Sequence, residues 1–202
     1  MKAKGIRRIL PLINSSAIQF GTYEEGQVLF HEGKRAPFVF FVEIGEVRAE
    51  RYLISGQTLV LFRAPAETLL GETCLYSSLQ AFTAVASRPT RVLKIGKEAF
   101  RDALNADTTH WETLYNCLAH RLIDGLKMRE ILAIRKADDR LLNWLKWKES
   151  ASPEGLDLGN RLGSIGLELN LTRESIYRAF ARLKEDGLVE VNDGIVRLRE
   201  DA

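Results

Sequence analysis

The sequence is short of several things, and each shortage removes a class of function. It holds two cysteines, Cys74 and Cys117. Two isolated thiols build neither the disulfide framework of a small secreted domain nor a CxxC metal site, and they suit a reduced, cytoplasmic setting. Histidine is scarce too, with only His31, His110 and His120. His120 follows Cys117 at one-turn helical spacing, but two ligands do not make a metal centre, and no metal is expected. No apolar run reaches the roughly 20 residues of a membrane helix, so no membrane partner is expected either. The opening MKAKGIRRILPLINSSAIQF passes from basic to apolar as a signal peptide does. Pro11 and the polar Asn14-Ser15-Ser16 stop that run, and no small-residue cleavage site follows. An excess of one charge is also missing: 29 Lys and Arg face 27 Asp and Glu, a net +2. Any surface for nucleic acid must therefore be a local basic patch. Catalytic signatures are absent as well. There is no GxSxG or HExxH, and Gly159, Gly163 and Gly166 cluster without the Lys-Ser/Thr of a P-loop. An enzyme is not expected.

What is present is globular. The chain has 202 residues, 46% hydrophobic and 28% charged, enough for one large or two small domains. The first half reads as short strands, QVLFHEG, FVFFVEIGEVRAERYLI, TLVLFRA, AFTAVAS and RVLKIG, broken by Gly21, Gly26, Gly33, Gly45, Gly56 and Gly71 and by Pro37, Pro65 and Pro89. Many short strands between turn signals, with no crossover helix, predict an antiparallel barrel or sandwich. From Glu98 the pattern becomes helical. KEAFRDAL is a short helix, and a proline-free stretch then runs from Thr108 to about Lys136 with Trp111, Leu114, Leu118, Leu122, Gly125 and Leu132 at helical spacing. A helix of that length spans roughly 43 Å, more than a small barrel covers. The seam therefore predicts packing against a second copy of the chain. ADDRLLNWLKWKES is a further amphipathic helix from near Asp138, with Leu141, Leu142 and Leu145 inward beside Trp144. ASPEGLDLGN reads as a loop. The remainder, 160–202, reads as two helices around a turn and then a hairpin, LVEV-NDG-IVRL, centred on Asp-Gly.

The second of those helices, about 172–184, carries the most chemistry. Thr172 is placed to cap it. Ile176, Ala179, Phe180 and Leu183 recur as a buried stripe, while Arg173, Glu174, Tyr177, Arg178 and Ala181 fall on the opposite face. The preceding helix, about 163–169, offers Leu162, Ile165 and Leu169 for packing, with Asn170 at the turn, where a left-handed conformation suits asparagine. Glu174 and Arg178 at i, i+4 are explained by a surface ion pair alone, but that pair leaves Arg173 and Tyr177 without a purpose. Base reading uses all of them. A guanidinium bonds O6 and N7 of guanine, a carboxylate accepts from N4 of cytosine, and Tyr177 reaches a thymine methyl or a phosphate. Arg182 and Lys184 extend the positive edge, so 171–184 holds four basic residues against one acid, a local +3. The partner implied is double-stranded DNA, with the N-terminal part of this helix in the major groove.

With those residues in view, LTRESIYRAFARLKEDGLVEV resembles the recognition helix and wing entry of the cyclic-AMP receptor/FNR (Crp/Fnr) family of bacterial transcription regulators. The family's Arg-Glu-x-x-x-Arg pattern matches Arg173, Glu174 and Arg178, which the resemblance makes base readers. EEGQVLFHEGKRAPFVFFVEIGEVRAER is similar to the family's first β-roll motifs, LLGETCLYSS to its Gly-Glu turn beside the effector, and the long helix to its dimer helix. The segment before Tyr23 is shorter than the family's usual N-terminal region. The resemblance implies an α+β chain with a β-roll of the cyclic-nucleotide-binding jelly-roll type over 1–107, a dimerisation helix over 108–136 and a winged helix–turn–helix over 137–202. It also implies a homodimer on a near-palindromic site and RNA polymerase as a partner, with the 149–157 loop the candidate contact by position.

The sensor half departs from the family. Members that bind a cyclic nucleotide follow Gly-Glu, about ten residues on, with Arg-Ser/Thr-Ala: the Glu holds a ribose hydroxyl and the Arg pairs with the phosphate. Here Gly71 and Glu72 stand, but the second motif reads Phe82-Thr83-Ala84. A phenyl ring does not neutralise a buried phosphate. At the long-helix positions that carry polar adenine contacts in the family, this chain has Gly125 and Leu126. Cyclic AMP and cyclic GMP are thereby disfavoured. Two cysteines are too few for a four-thiolate iron–sulfur cluster. Cys74 and Tyr76 lie near the pocket as haem-ligand candidates, but read better as a buried thiol and a core tyrosine. Redox sensing through Cys74, another small-molecule effector and effector-free binding stay open, and no cofactor is expected. The rival to DNA binding is a ligand-binding module that controls a protein partner, which a winged helix argues against.

Overall fold

Runs such as FVFFV are apolar at every position, not at alternate ones, which is the pattern of a strand buried on both faces. The computed structural model, which describes residues 5–150, 152, 154–158 and 161–199, shows why. Gly159 of the glycine cluster, and Ala151 and Pro153 of the 149–157 loop, lie outside the described residues. After a short helix α1 (Ile6–Ile9) come eight strands: β1 (Ile18–Tyr23), β2 (Val28–Phe30), β3 (Phe38–Ile44), β4 (Glu46–Tyr52), β5 (Thr58–Pro65), β6 (Thr68–Leu70), β7 (Thr83–Ala86) and β8 (Thr90–Gly96). They form two four-stranded antiparallel sheets, ordered β1-β8-β3-β6 and β2-β7-β4-β5. Along β3, Phe40 and Val42 join Val47, Ala49, Leu70, Phe82, Ala84 and Val92 in one apolar cluster. Val39 and Phe41 join Ile6, Ile9, Ile95, Phe100, Leu104 and Leu114 in another, contributed by the helices on the outer face. The β3–β4 turn depends on Gly45: at φ +94°, a Cβ there would meet the Thr90 hydroxyl at 2.4 Å and the Pro89 carbonyl at 2.5 Å.

Two helices follow, α2 (Lys97–Asn105) and α3 (Thr108–Ala133). The backbone N–H of Thr109 donates to Asp107 Oδ1 at 2.8 Å, capping the start of α3 and holding the Asp107 carboxyl below its usual pKa. Residues 134–136, included in the helix by the sequence pattern, form a connection instead. Arg140 explains the stop: its Nε and Nη2 donate to the Ile134 carbonyl at 2.8 and 2.6 Å, and its Nη1 to the Leu169 carbonyl at 3.0 Å. The chain divides into two compact units, one ending at Leu122 and the other beginning at Ile123, so the division falls inside α3.

The second unit holds α4 (Ala137–Glu149), β9 (Leu156–Asp157), α5 (Leu162–Glu168), α6 (Arg173–Glu185), β10 (Val189–Asn192) and β11 (Ile195–Leu198). Leu141, Trp144 and Leu145 of α4 bury against Leu162, Ile165 and Leu169 and against Ile176, Ala179 and Leu183 of α6. β10 and β11 pair through a two-residue turn in which Asp193 and Gly194 both have positive φ, +50° and +80°. β9 adds a third strand beside β11, where the sequence reads as a loop. The whole is α+β: a β-roll, a long helix and a winged helix–turn–helix.

Candidate functional site

The candidate nucleic-acid face is built on α6. The Thr172 hydroxyl accepts from the Ser175 N–H at 3.1 Å and caps the helix. Asn170 makes the preceding turn at φ +52°. Gly166 serves packing and not phosphate binding: a Cβ there would lie 3.0 Å from Ile176 Cγ2, so its absence lets α5 approach α6. Ile176, Ala179 and Leu183 are buried and Phe180 half-buried, which turns Thr172, Arg173, Glu174, Tyr177 and Arg178 outward. The Arg173 guanidinium lies 5.8 Å from the Tyr177 ring centroid, and Glu174 Oε1 lies 3.6 Å from Arg178 Nη1. Both members of that pair are well exposed, so the bond is weak and readily exchanged for another partner. Arg182, read from the sequence as extending the positive edge, is exposed, and its Nη1 bonds Asp138 Oδ2 of α4 at 3.0 Å. Lys184 is exposed.

The candidate effector site is built around Gly71. Its left-handed conformation, φ +73°, turns the chain so that Glu72, opening a 3-10 turn (Glu72–Leu75), points its carboxylate inward. Glu72 is 6% exposed. The cation beside it comes from α3: Arg121 Nη1 donates to Glu72 Oε1, and Arg121 Nη2 donates to the Leu69 carbonyl at 2.7 Å. The same guanidinium lies 4.8 Å from the centroid of Phe62. Phe62 meets Phe82 edge to face at 5.2 Å, Phe82 meets Phe30 at 5.5 Å, and Phe30 meets Phe40 at 4.9 Å. Phe82 is thus one ring of a packed aromatic group. The Thr83 hydroxyl accepts from the Glu32 N–H at 3.1 Å, and Ala84 is buried in the strand pairing of β7 with β2 and β4. Glu72 Oε2 is buried with no hydrogen-bond partner among the described residues.

Of the five sensor residues read from the sequence, Gly71, Glu72 and Phe82 belong to one locality, joined through Arg121 and Phe62, which the sequence reading missed. The α3 residue that reaches Glu72 is Arg121; Gly125 and Leu126, one turn on, are exposed. A signal for it existed. Leu114, Cys117 and Arg121 recur at inward helical spacing, so Arg121 is a charge on a buried stripe. Burial raises Cys74 to about 11 and also pushes Cys117 up, which disfavours the thiolate of each. Tyr76 is fully exposed on its loop, contrary to its reading as a core residue. His120 is exposed, and no group of three His, Cys, Asp or Glu side chains among the described residues is placed to hold a metal. No helix among them is long and apolar enough to cross a membrane.

Residues 20–107 match the cyclic nucleotide-binding domain family model. The chain is 31% identical over 115 residues to an uncharacterized protein of Mycobacterium tuberculosis, which is 56% of this chain; it spans 22% of that relative's length. It is 26% identical over 192 residues to the cyclic AMP receptor protein of Thermus thermophilus, covering 93% of this chain and 87% of that one. To the transcriptional activator protein FnrA of Stutzerimonas stutzeri it is 26% identical over 182 residues, 87% of this chain and 74% of that protein. The solved structure of FixK2 from Bradyrhizobium japonicum superposes with a TM-score of 0.74 at 21% identity, covering 91% of this chain and 93% of that one, and so shares the fold. Fold and matches together define a class, the proteins that join a cyclic-nucleotide-binding β-roll to a winged helix–turn–helix. Over most of its length the chain is similar to bacterial transcription regulators of the Crp/Fnr kind.

Proposed function

We propose that this chain is a sequence-specific, non-enzymatic DNA-binding transcription regulator, that it acts as a homodimer, and that its sensor does not take a cyclic nucleotide. The observation that carries the reading is the capped, outward face of α6, with Arg173, Glu174, Tyr177 and Arg178 exposed together and a wing following. Helix N-terminal placement suits it to the negative phosphates flanking a major groove. Arg173, Glu174 and Arg178 are the base readers, Thr172 and Tyr177 assist, and Arg182 and Lys184 meet phosphate. Arg182 does so by leaving Asp138.

Support for the dimer comes from α3, where Trp111, Tyr115, Leu118, Leu122 and Leu126 are exposed along one stripe. Two recognition helices about 34 Å apart would then enter successive major grooves. The proposed functional parts are the sensor over 1–107, a dimerisation segment over 108–136 whose helix ends at Ala133, and the DNA-binding part over 137–202, with RNA polymerase as the further partner and the cytoplasm as the setting. What speaks against a cyclic nucleotide is Phe82, packed among aromatic rings at the position where nucleotide-binding relatives carry an arginine. Selection of bound sites from random duplex DNA tests the function. A near-palindromic motif with two half-sites is expected. Recovery of no motif, or binding insensitive to salt, would return the chain to the rival class of modules that control a protein partner.

A further inference from the structure

Two i, i+4 pairs lie side by side at the start of α6, and they are unlike. Glu174 Oε1 lies 3.6 Å from Arg178 Nη1, whereas the Arg173 guanidinium lies over the Tyr177 ring, 5.8 Å from its centroid. We propose that Tyr177 is a positioning residue for Arg173: its ring holds the guanidinium by the face and leaves the N–H fork free for a guanine, so Tyr177 sets how strictly one base position is read without reading a base of its own. This rests on the reading of α6 as the DNA-reading helix. Arg173 is the first residue of α6, one place after the Thr172 cap, where the helix dipole disfavours a cation. The acid of that first turn, Glu174, is paired with Arg178, so Arg173 is left to the ring. The difference matters because a guanidinium has two kinds of surface. Its N–H groups all lie in its plane, and guanine O6 and N7 accept from them. Its flat face is what packs on an aromatic ring. An arginine held by a carboxylate has to give up that bond before it reads a base; an arginine held by a ring does not. A free arginine also carries large rotamer freedom, which ordering on DNA would cost. Tyrosine, with two side-chain torsions, is a stiffer support. Tyr177 is 45% exposed and its neighbour Ile176 is fully buried, so the ring stands on the outward face from a backbone fixed by the core.

The experiment selects bound sites from random duplex DNA with the full chain as wild type, Arg173→Ala, Tyr177→Ala, Tyr177→Phe and the Arg173→Ala/Tyr177→Ala double variant. The wild-type motif should hold a guanine in each half-site whose preference Arg173→Ala erases. Tyr177→Ala should weaken the preference at that same position by about two- to fivefold, the scale of an exposed cation–ring contact, and leave the other positions as they are. Those other positions also report that the variant is folded. Tyr177→Phe keeps the ring and loses the hydroxyl, so it should keep the preference that Tyr177→Ala weakens. The double variant should read that position no worse than Arg173→Ala alone, because the two residues act through one contact. Relaxation by Tyr177→Ala at a different position would make Tyr177 a base reader itself, as contact with a thymine methyl would. A loss common to all sequences and shared by Tyr177→Phe would make its hydroxyl a phosphate contact. An unchanged profile for Tyr177→Ala would leave the ring no part in reading. Each of these three results overturns the proposal. If the wild type selects no motif, or Arg173→Ala leaves the motif intact, the underlying reading of α6 fails and the proposal with it; if Arg173→Ala erases a position that Tyr177→Ala spares, only the proposal fails.

Discussion

Arg173 and Glu174 are held by little besides their helix. Arg173 rests near the Tyr177 ring and Glu174 is loosely paired with Arg178, all of them exposed. Their removal should leave the fold intact and act on recognition alone. Arg173→Ala and Glu174→Ala should each relax preference at one base position, at about 1–3 kcal/mol for a lost base contact. An unchanged selected-site profile for Arg173→Ala would remove it from the readers. Arg182→Ala should weaken all sequences alike and lower the salt slope by about 1. Because the Asp138 pair must open first, Asp138→Asn should strengthen binding slightly. The cysteines make a contrasting expectation. With burial holding Cys74 near 11, its thiol is protonated through neutral pH, and alkylation of the native protein should be slow until it unfolds. The sign follows from the raised value: burial of the neutral thiol stabilises fully below the ordinary thiol pKa and is lost as pH rises through about 11. Fast labelling of Cys74 at pH 7 would reopen redox sensing. At this scale the recognition face was legible because Ile176, Ala179 and Leu183 announce their spacing in one short segment. Arg121 was not, because its meaning depends on Glu72 and Phe62, which lie far off in the chain and meet it only in three dimensions.

At the scale of elements, the strands separated by obligatory glycines were readable, and Gly45 and Gly71 show the physical reason. Each has a positive φ at a place where the chain must reverse or turn a side chain inward. β1 and β6 were missed because one is largely exposed and the other has three residues, so neither carries a strong alternating signal. In α3 the sequence pattern merged two faces. Leu114 belongs to the β-roll core at 3% exposure, whereas Leu118 and Leu122 are 40% and 65% exposed and lie on the outer stripe with Tyr115 and Leu126. Apolar periodicity marks burial but does not say which body buries it. The outer stripe is therefore the place to test the proposed dimer. Leu122→Glu would put a charge in the middle of such a seam, and should raise the dimer dissociation constant by about thirtyfold or more. Sedimentation equilibrium checks it, with operator affinity falling in parallel. A wild-type chain that stays monomeric in solution and on DNA would end the dimer reading.

For the whole molecule, the sensor and the output departed from the family pattern to different degrees, and the difference has a thermodynamic consequence. A ligand moves an equilibrium only by its differential affinity for the two states. A cyclic nucleotide brings a phosphate that must find a cation once it leaves water. In this β-roll, Phe82 packs against Phe30 and Phe62, and the Arg121 guanidinium is bonded to Glu72 and Leu69. Seating a nucleotide phosphate at Phe82 would require dispersing these packed rings, and a phenyl ring offers the phosphate no charge in return. Millimolar cyclic AMP should therefore leave Kd for the selected DNA site unchanged, in a titration where the same DNA shows a steep loss of affinity with salt through counterion release. A clear tightening by cyclic AMP would mean that the aromatic group opens, and would overturn the reading of Phe82. Replacing the ring by Phe82→Arg alone should not create the response either. The rings of Phe30 and Phe62 would still line the place, so a nucleotide-responsive form should need the new cation and a repacked aromatic group.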